Sequence, residues 1–116
     1  MDELVARLAS EAGIDRDIAA KAVGIMLAFL LKEGPADKVQ PLLDKIPGAA
    51  AAAQEQSGNL GMGGVMGAGM SLMSLGLSMP EVQTVSRLVL GYARETVGED
   101  AVGEIVNAIP GLGQFV

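Results

Sequence analysis

Cysteine and histidine are both absent from this 116-residue sequence. Their absence excludes disulfides, thiolate nucleophiles, the common zinc sites and a histidine general base. The serines therefore lack a histidine that could activate them as nucleophiles. The glycines do not follow the spacing of a phosphate-binding loop. We expect no catalytic residue, no bound metal and no cofactor, and we predict that the protein is not an enzyme.

Aromatic and basic residues are scarce. The aromatic side chains are Phe29, Tyr92 and Phe115, and the 8 Lys and Arg residues are outnumbered by 14 Asp and Glu residues, giving a net charge of −6. Base stacking needs aromatic platforms and phosphate binding needs clustered cations, so we expect no nucleic-acid partner. The first residues of the chain carry acidic side chains where an export signal needs Lys or Arg. We therefore expect a cytoplasmic protein.

An apolar stretch at residues 18–31 dominates the first half of the chain. Residues 22–31 contain no polar side chain, and a helix that is apolar on every face must be buried on every face. The stretch is too short to cross a bilayer. We therefore predict that it is the central helix of a single all-α domain spanning residues 1–116.

Periodic apolar residues and helix-capping residues predict further helices on both sides of this stretch. The Gly34-Pro35 pair ends the central helix. Pro41 predicts that the next helix is kinked or begins close to residue 40. The alanine-rich residues 49–56 are predicted to be helical, and Ser78 is predicted to cap a second long helix that continues to about residue 96.

Two segments of the chain match at a constant offset of 63 residues. Each carries an N-cap residue, then an apolar helix face with spacing i, i+3, i+4, i+7, and then the sequence Ile-Pro-Gly. Two unrelated helical hairpins of similar length are the alternative interpretation. The matching positions are Asp15 and Ser78, Val39 and Val102, Leu42 and Ile105, Leu43 and Val106, Ile46 and Ile109, Pro47 and Pro110, and Gly48 and Gly111.

This match predicts an internal duplication. Repeat 1 spans about residues 2–48, a Gly/Met-rich connector spans about 49–75, and repeat 2 spans about 76–111. Each repeat alone would leave an apolar face uncovered, so we expect the two to share one core about a pseudo-twofold axis. The predicted fold is a small all-α domain of five to seven helices.

The order of these motifs resembles that of a known group of proteins. A Gly-Ile pair and a long helix lead to LLDKIPGA, a Gly/Met-rich middle follows, and LGLS and a second long helix lead to IVNAIPGL. This arrangement is similar to the VcgC/VcgE-like group of small bacterial proteins of unknown function. The resemblance implies a helical fold and a bacterial source, and it implies nothing about catalysis.

The segment at residues 58–80 contains seven glycines and no charged residue. If it is helical, Met62, Met66, Met70 and Met73 fall within an arc of about 80°, beside a seam of small residues at which another helix can approach closely. Membrane contact, binding of a soft metal such as Cu(I) by stacked thioethers, and disorder caused by the glycines are the alternatives. We predict an interaction or apolar-ligand surface formed by Met62, Met66, Met70, Met73, Gly63 and Gly67.

Hydrophobic residues make up 50% of the chain, and the mean hydropathy of +0.40 is high for a small monomeric domain. Part of the apolar surface is therefore expected to meet a partner. We predict a non-enzymatic protein-interaction or self-association module that binds a protein partner or forms a homo-oligomer. The alternative is binding of an apolar ligand or a membrane surface through residues 58–79.

Overall fold

A computed structural model describes residues 1–59 and 64–115 of the chain. These residues form seven α-helices and two short 3₁₀ turns, and no strand occurs among them. The prediction of an all-α fold is confirmed, and the number of helices lies within the predicted range. The helices are α1 (Asp2–Ala12), α2 (Arg16–Glu33), α3 (Ala36–Lys45), α4 (Ala49–Gln56), α5 (Gly64–Met73), α6 (Met79–Val97) and α7 (Glu99–Ala108), and the 3₁₀ turns are Ser57–Asn59 and Leu112–Phe115.

Helix α2 is the predicted central helix. All residues at positions 22–30 are buried, so every face of the helix is covered along this stretch. Helices α1, α3, α4, α5 and α6 all contact α2, which provides the cover that an apolar helix needs on all sides. The helix ends at Gly34, whose amide donates a 2.8 Å hydrogen bond to the Leu30 carbonyl oxygen.

The alanine-rich helix α4 confirms the helix predicted over residues 49–56, and it packs closely on α2 at Gly24. A Cβ atom built on Gly24 would lie 2.8 Å from Gln56 Cγ and 3.0 Å from the Ala52 carbonyl oxygen. Small side chains permit this approach, since α4 buries Ala49 and Ala53. Close packing of this kind leaves no space for a larger side chain at position 24.

The two long helices begin with different caps. At the start of α6, Ser78 Oγ accepts a 3.4 Å hydrogen bond from the Glu81 amide, and Glu81 Oε1 accepts a 2.8 Å hydrogen bond from the Ser78 amide. This reciprocal pair is a capping box. At the start of α2, Asp15 occupies the N-cap position but its side chain makes no capping hydrogen bond. Both residues therefore lie where the sequence places the caps, and Ser78 also makes the side-chain bond.

Helix α3 begins at Ala36 and runs through Pro41 to Lys45. Of the two outcomes expected from Pro41, a start close to residue 40 is not observed. The Pro35 carbonyl oxygen accepts hydrogen bonds from the amides of Lys38 and Val39, so the first turn has formed before Pro41 is reached. Proline within the helix lacks one amide donor, and here the helix continues without that bond.

The two Ile-Pro-Gly segments form the same turn. Ile46 and Ile109 both have φ of −108°, with ψ of 106° and 108°. Both isoleucines are buried, and each donates its amide hydrogen bond to the carbonyl three residues earlier. Gly48 and Gly111 both have φ of 86°, in the left-handed region that favours glycine. The glycine in each segment is therefore required by the turn.

The helices of the second half follow those of the first at a nearly constant spacing. Helices α6 and α7 begin 63 residues after α2 and α3 (79 − 16 and 99 − 36), and α5 begins 62 residues after α1 (64 − 2). Residues 49–75, which we predicted to connect two repeats, thus contain helices α4 and α5. Helix α5 has the same place in the second half that α1 has in the first.

Valine at position 24 is expected to lower the free energy of unfolding by about 1–3 kcal/mol, because its side chain would overlap the backbone of α4. Gly91 is the matched control, since it also lies inside a long helix and a Cβ atom there meets nothing within 4 Å. The Gly91→Val change is expected to alter stability by less than about 0.5 kcal/mol. Urea denaturation followed by circular dichroism measures both variants. Equal losses would contradict the close packing of α4 on α2.

Removal of the Ser78 hydroxyl is expected to cost about 1 kcal/mol of stability, because the Ser78→Ala change leaves a helix amide without its acceptor. Asp15→Ala changes the N-cap residue of α2. Because the Asp15 side chain makes no capping hydrogen bond, this change removes only its favourable interaction with the helix dipole. Its cost is expected to be about 0.5 kcal/mol or less. Thermal unfolding of both variants compares the two caps, and a larger loss for Asp15→Ala would contradict this assignment.

A methionine surface as the candidate functional site

The large hydrophobic side chains exposed in the described part of the chain are four methionines. Met66, Met70 and Met73 lie on α5, and Met79 is the first residue of α6. Their exposed fractions are 77%, 62%, 46% and 51%, respectively. Apolar side chains grouped on a surface indicate contact with another apolar surface. We call these four side chains the methionine surface.

Helix α5 has a buried face as well as this exposed one. Gly67, Ala68, Ser71 and Leu72 are buried, and α5 contacts α2 and α6. Gly67 therefore belongs to the packing face of α5 and does not form part of the exposed surface on which it was predicted. Small residues on a packing face let neighbouring helices approach closely, so Gly67 has a structural explanation.

The remaining predicted site residues fall into two groups. Met66, Met70 and Met73 are exposed on the same helix, as their spacing indicates. Met62 and Gly63 lie outside the described residues. Met79 was not included in the predicted surface, although the uncharged run continues to residue 80 and could have identified it.

The methionine surface borders a groove of about 410 Å³. Val82 of α6 lines this groove together with Pro110 and Gly111 of the second Ile-Pro-Gly turn, and none of the described lining residues is charged. Its volume lies within the range of about 300–1,000 Å³ that small-molecule sites occupy. Such a groove can accept an apolar side chain or an apolar ligand, and it offers no charged group for acid–base chemistry.

Two contacts hold the start of α5 beside the groove. Glu33 Oε2, at the end of α2, accepts a 3.2 Å hydrogen bond from the Gly64 amide, and a carboxylate is favoured at a helix N-terminus. Val65 lies against the second Ile-Pro-Gly turn, since a Cβ atom on Gly111 would be 3.6 Å from Val65 Cγ2. The helix that carries the methionines is thus tied to the central helix and to the turn.

The charged network around Arg7 lies on α1 and α6. The Arg7 guanidinium bonds Glu3 at 2.8 Å and Glu95 at 3.2 Å, and its central carbon lies 5.6 Å from the centre of the Tyr92 ring. The hydrogen bond that Arg7 donates to Glu95 raises the pKa of Arg7 above its ordinary value. The guanidinium is therefore held as a cation between two carboxylates.

Positions 63 residues before the four methionines carry polar side chains. These residues lie on α1 and at the start of α2, and each is exposed or partly exposed. The corresponding surface of the first half is therefore suited to water, whereas that of the second half is apolar. In chain order the pairs are Glu3 and Met66, Arg7 and Met70, Ser10 and Met73, and Arg16 and Met79.

A second hollow, of about 390 Å³, is lined by residues of α2, α3 and α4. Leu43 contributes to its apolar part, and Lys32, Gln40 and Gln54 contribute polar groups. The Gln54 carbonyl oxygen already accepts a 2.9 Å hydrogen bond from Ser57 Oγ. Sequence reasoning did not predict this hollow, because it forms where three helices meet and has no local pattern.

Residues 1–59 and 64–115 contain neither a metal-binding cluster of acidic side chains nor a membrane-spanning helix. Asp and Glu side chains in these ranges form no group of three that could hold a metal ion. No helix of the same residues combines the length and the apolar character needed to cross a bilayer.

Comparisons with family models, with curated proteins and with solved structures find no match to this chain. The resemblance to the VcgC/VcgE-like group therefore stays a prediction that rests on the order of the motifs.

Substitution of the two faces of α5 is expected to have unequal effects on stability. Met66→Ser and Met70→Ser are each expected to change the free energy of unfolding by less than about 0.5 kcal/mol, because both side chains are exposed. Leu72→Ala is expected to cost about 2–5 kcal/mol, because it leaves a cavity in the core. Urea denaturation in dilute solution measures all three variants. A loss at Met66 or Met70 as large as that at Leu72 would place the methionines in the core.

Proposed function

We propose that this chain is a non-enzymatic self-association module, in which the methionine surface of one copy packs against that of a second copy. The observation that carries the proposal is that four exposed methionines border one uncharged groove. Methionine is common at adaptable apolar binding surfaces, because its unbranched side chain fills irregular gaps. Association would remove these side chains from water, which is favourable.

Charge supports a second copy as the occupant of this surface. Two copies that each carry a net charge of −6 repel each other, and a contact between acidic surfaces would add to that repulsion. Residues 56–80 carry no charge, so copies that meet through the methionine surface avoid a direct contact between like charges. A surface that packs on itself gives a closed dimer with a twofold axis, which is the commonest soluble assembly.

We further propose that the domain contains two copies of one helical unit related by a pseudo-twofold axis. Helix α1 packs on α6 and helix α5 packs on α2, so the first helix of each half contacts the long helix of the other half. A twofold relation between the halves predicts this reciprocal pairing. The equal backbone angles of the two Ile-Pro-Gly turns and the spacing of the helices support the same interpretation.

Under the proposed duplication, the methionine surface of the second unit can be compared with the matching surface of the first unit. Where the second unit exposes Met66 and Met70, the first unit carries Glu3 and Arg7 joined by an ion pair. A helix in this place is therefore compatible with polar side chains, and the fold does not require methionine there. Among the described residues, the exposed methionines are confined to the second unit, which supports a role in binding.

Binding of an apolar ligand or a membrane surface is the second candidate, and the uncharged groove is the observation that favours it. Anionic lipid headgroups would be repelled by the net negative charge of the chain. Residues 56–80 contain no Lys or Arg that could attract such headgroups, and basic residues normally supply that attraction. Membrane binding through this segment would therefore lack the electrostatic attraction that basic residues normally supply.

Met66 and Met70 can be replaced by the residue types found 63 positions earlier, Glu and Arg. This double substitution is expected to abolish association. The Met66→Glu/Met70→Arg variant leaves the net charge unchanged and reproduces the spacing of the ion pair of α1, so we expect it to fold. Light scattering at about 100 µM, well above a micromolar Kd, measures the mass in solution. We expect twice the chain mass of 11.8 kDa for the wild type and the mass of one chain for the variant.

The matched control is Glu3→Gln/Arg7→Gln, which also preserves the net charge but alters α1. Its mass in solution is expected to equal that of the wild type. The proposal fails if the wild type is monomeric or if association survives the Met66→Glu/Met70→Arg change. Co-sedimentation of the wild type with phosphatidylcholine vesicles, abolished by the same change, would favour the second candidate.

A further inference from the structure

The sulfur atoms give the methionine surface a reactivity that other apolar side chains lack, in addition to the adaptable packing of methionine. A docking surface needs apolar side chains, and leucine or isoleucine supplies apolar area as well as methionine does. The buried core consists mainly of leucine, valine, isoleucine and alanine, with Met26 as the buried methionine among the described residues. The large apolar side chains that are exposed in those residues all carry a thioether instead.

We propose that Met66 and Met70 form a site of reversible oxidation, and that their conversion to methionine sulfoxide separates the associated copies. This inference rests on the proposed function, because it concerns regulation of the same surface. The oxidant is a peroxide, which transfers one oxygen atom to the thioether sulfur. The O–O bond breaks as the S–O bond forms, the sulfur loses two electrons, and the peroxide is reduced to water or an alcohol.

In the dissociated chain, exposure selects these two sulfur atoms for reaction. The proposed contact would cover them in the associated pair, so peroxide reacts with the free chain and prevents it from associating again. Met66 and Met70 are the most exposed of the methionines in the described residues, whereas Met26 is only 2% exposed. Inside the core, Met26 Sδ also accepts a 3.9 Å hydrogen bond from Ser86 Oγ. Because the peroxide has to reach the sulfur, susceptibility follows exposure. Met26 therefore serves as a buried internal control for the oxidation of Met66 and Met70.

The sulfoxide converts an apolar surface into a polar one. Its oxygen accepts hydrogen bonds strongly from water, and none of the described residues that line the groove is a charged donor. Association would remove water from this oxygen without a charged replacement, which opposes binding. The buried face of α5 contains no methionine, so oxidation of the exposed face leaves the packing of the helix unchanged.

Treatment of the full chain with hydrogen peroxide, at a dilution where light scattering gives the mass of one chain, followed by peptide mass spectrometry, tests the site. Met66 and Met70 are expected to oxidise at least about tenfold faster than Met26, because reaction follows solvent access. Circular dichroism on the same samples reports whether the helices persist. Equal rates at the three positions while the helices persist would overturn the assignment.

Light scattering on the same samples, concentrated to about 100 µM and compared with untreated chain, tests the effect on association. The mass is expected to fall from twice the chain mass to that of one chain when Met66 and Met70 are oxidised, and to return after treatment with methionine sulfoxide reductases A and B. A variant with leucine at positions 66, 70, 73 and 79 lacks the oxidisable atoms of this surface. Its mass after peroxide is expected to equal its mass before peroxide.

The outcomes separate the two proposals. A wild-type chain that is monomeric before peroxide treatment overturns the proposed function, and with it the proposal that oxidation separates the copies. A wild-type chain that associates equally before and after complete oxidation of Met66 and Met70 overturns only the further inference. A loss of mass by the leucine variant on peroxide treatment also overturns it, because the sensitive group would then lie elsewhere.

Discussion

Complete burial of α2 is the constraint on which the rest of the domain depends. Residues 22–30 have no side exposed to water, so a neighbouring helix has to cover each face. Five helices do so, and they come from both halves of the chain. Small residues decide how closely a neighbour approaches, as Gly24 does for α4. The positions of the other helices therefore follow from the need to cover one apolar helix.

Helices with local signals could be predicted from the sequence. The apolar run identified α2, and the Ser78 cap identified the start of α6. The start of α3 was harder to place, because the effect of Pro41 depends on how much of the helix precedes it. Helix α5 was the least predictable, since each glycine costs a helix about 1 kcal/mol relative to alanine. Its stability comes from contacts with α2 and α6, which are distant in the sequence.

The candidate site was predictable to the same degree and for the same reason. Helical spacing alone places Met66, Met70 and Met73 on one side of α5. It does not say which neighbouring side faces the core, so spacing alone could not tell whether the seam that contains Gly67 packs inside the domain or against a partner. The contact of α5 with α2 decides that question. Met79 joins the surface only because the tertiary fold brings the start of α6 to the same groove.

Under the proposed duplication, α2 and α6 are matching helices, and one face that is buried on α2 is not buried on α6. Gly24 and Ala28 on α2 are buried, and α4 packs closely at Gly24. The positions 63 residues later are Arg87 and Gly91, which are exposed and partly exposed, so this face of α6 is not buried as the matching face of α2 is. Among the described residues, the methionine surface is where large apolar side chains remain open to solvent, and the proposed second copy would remove them from water.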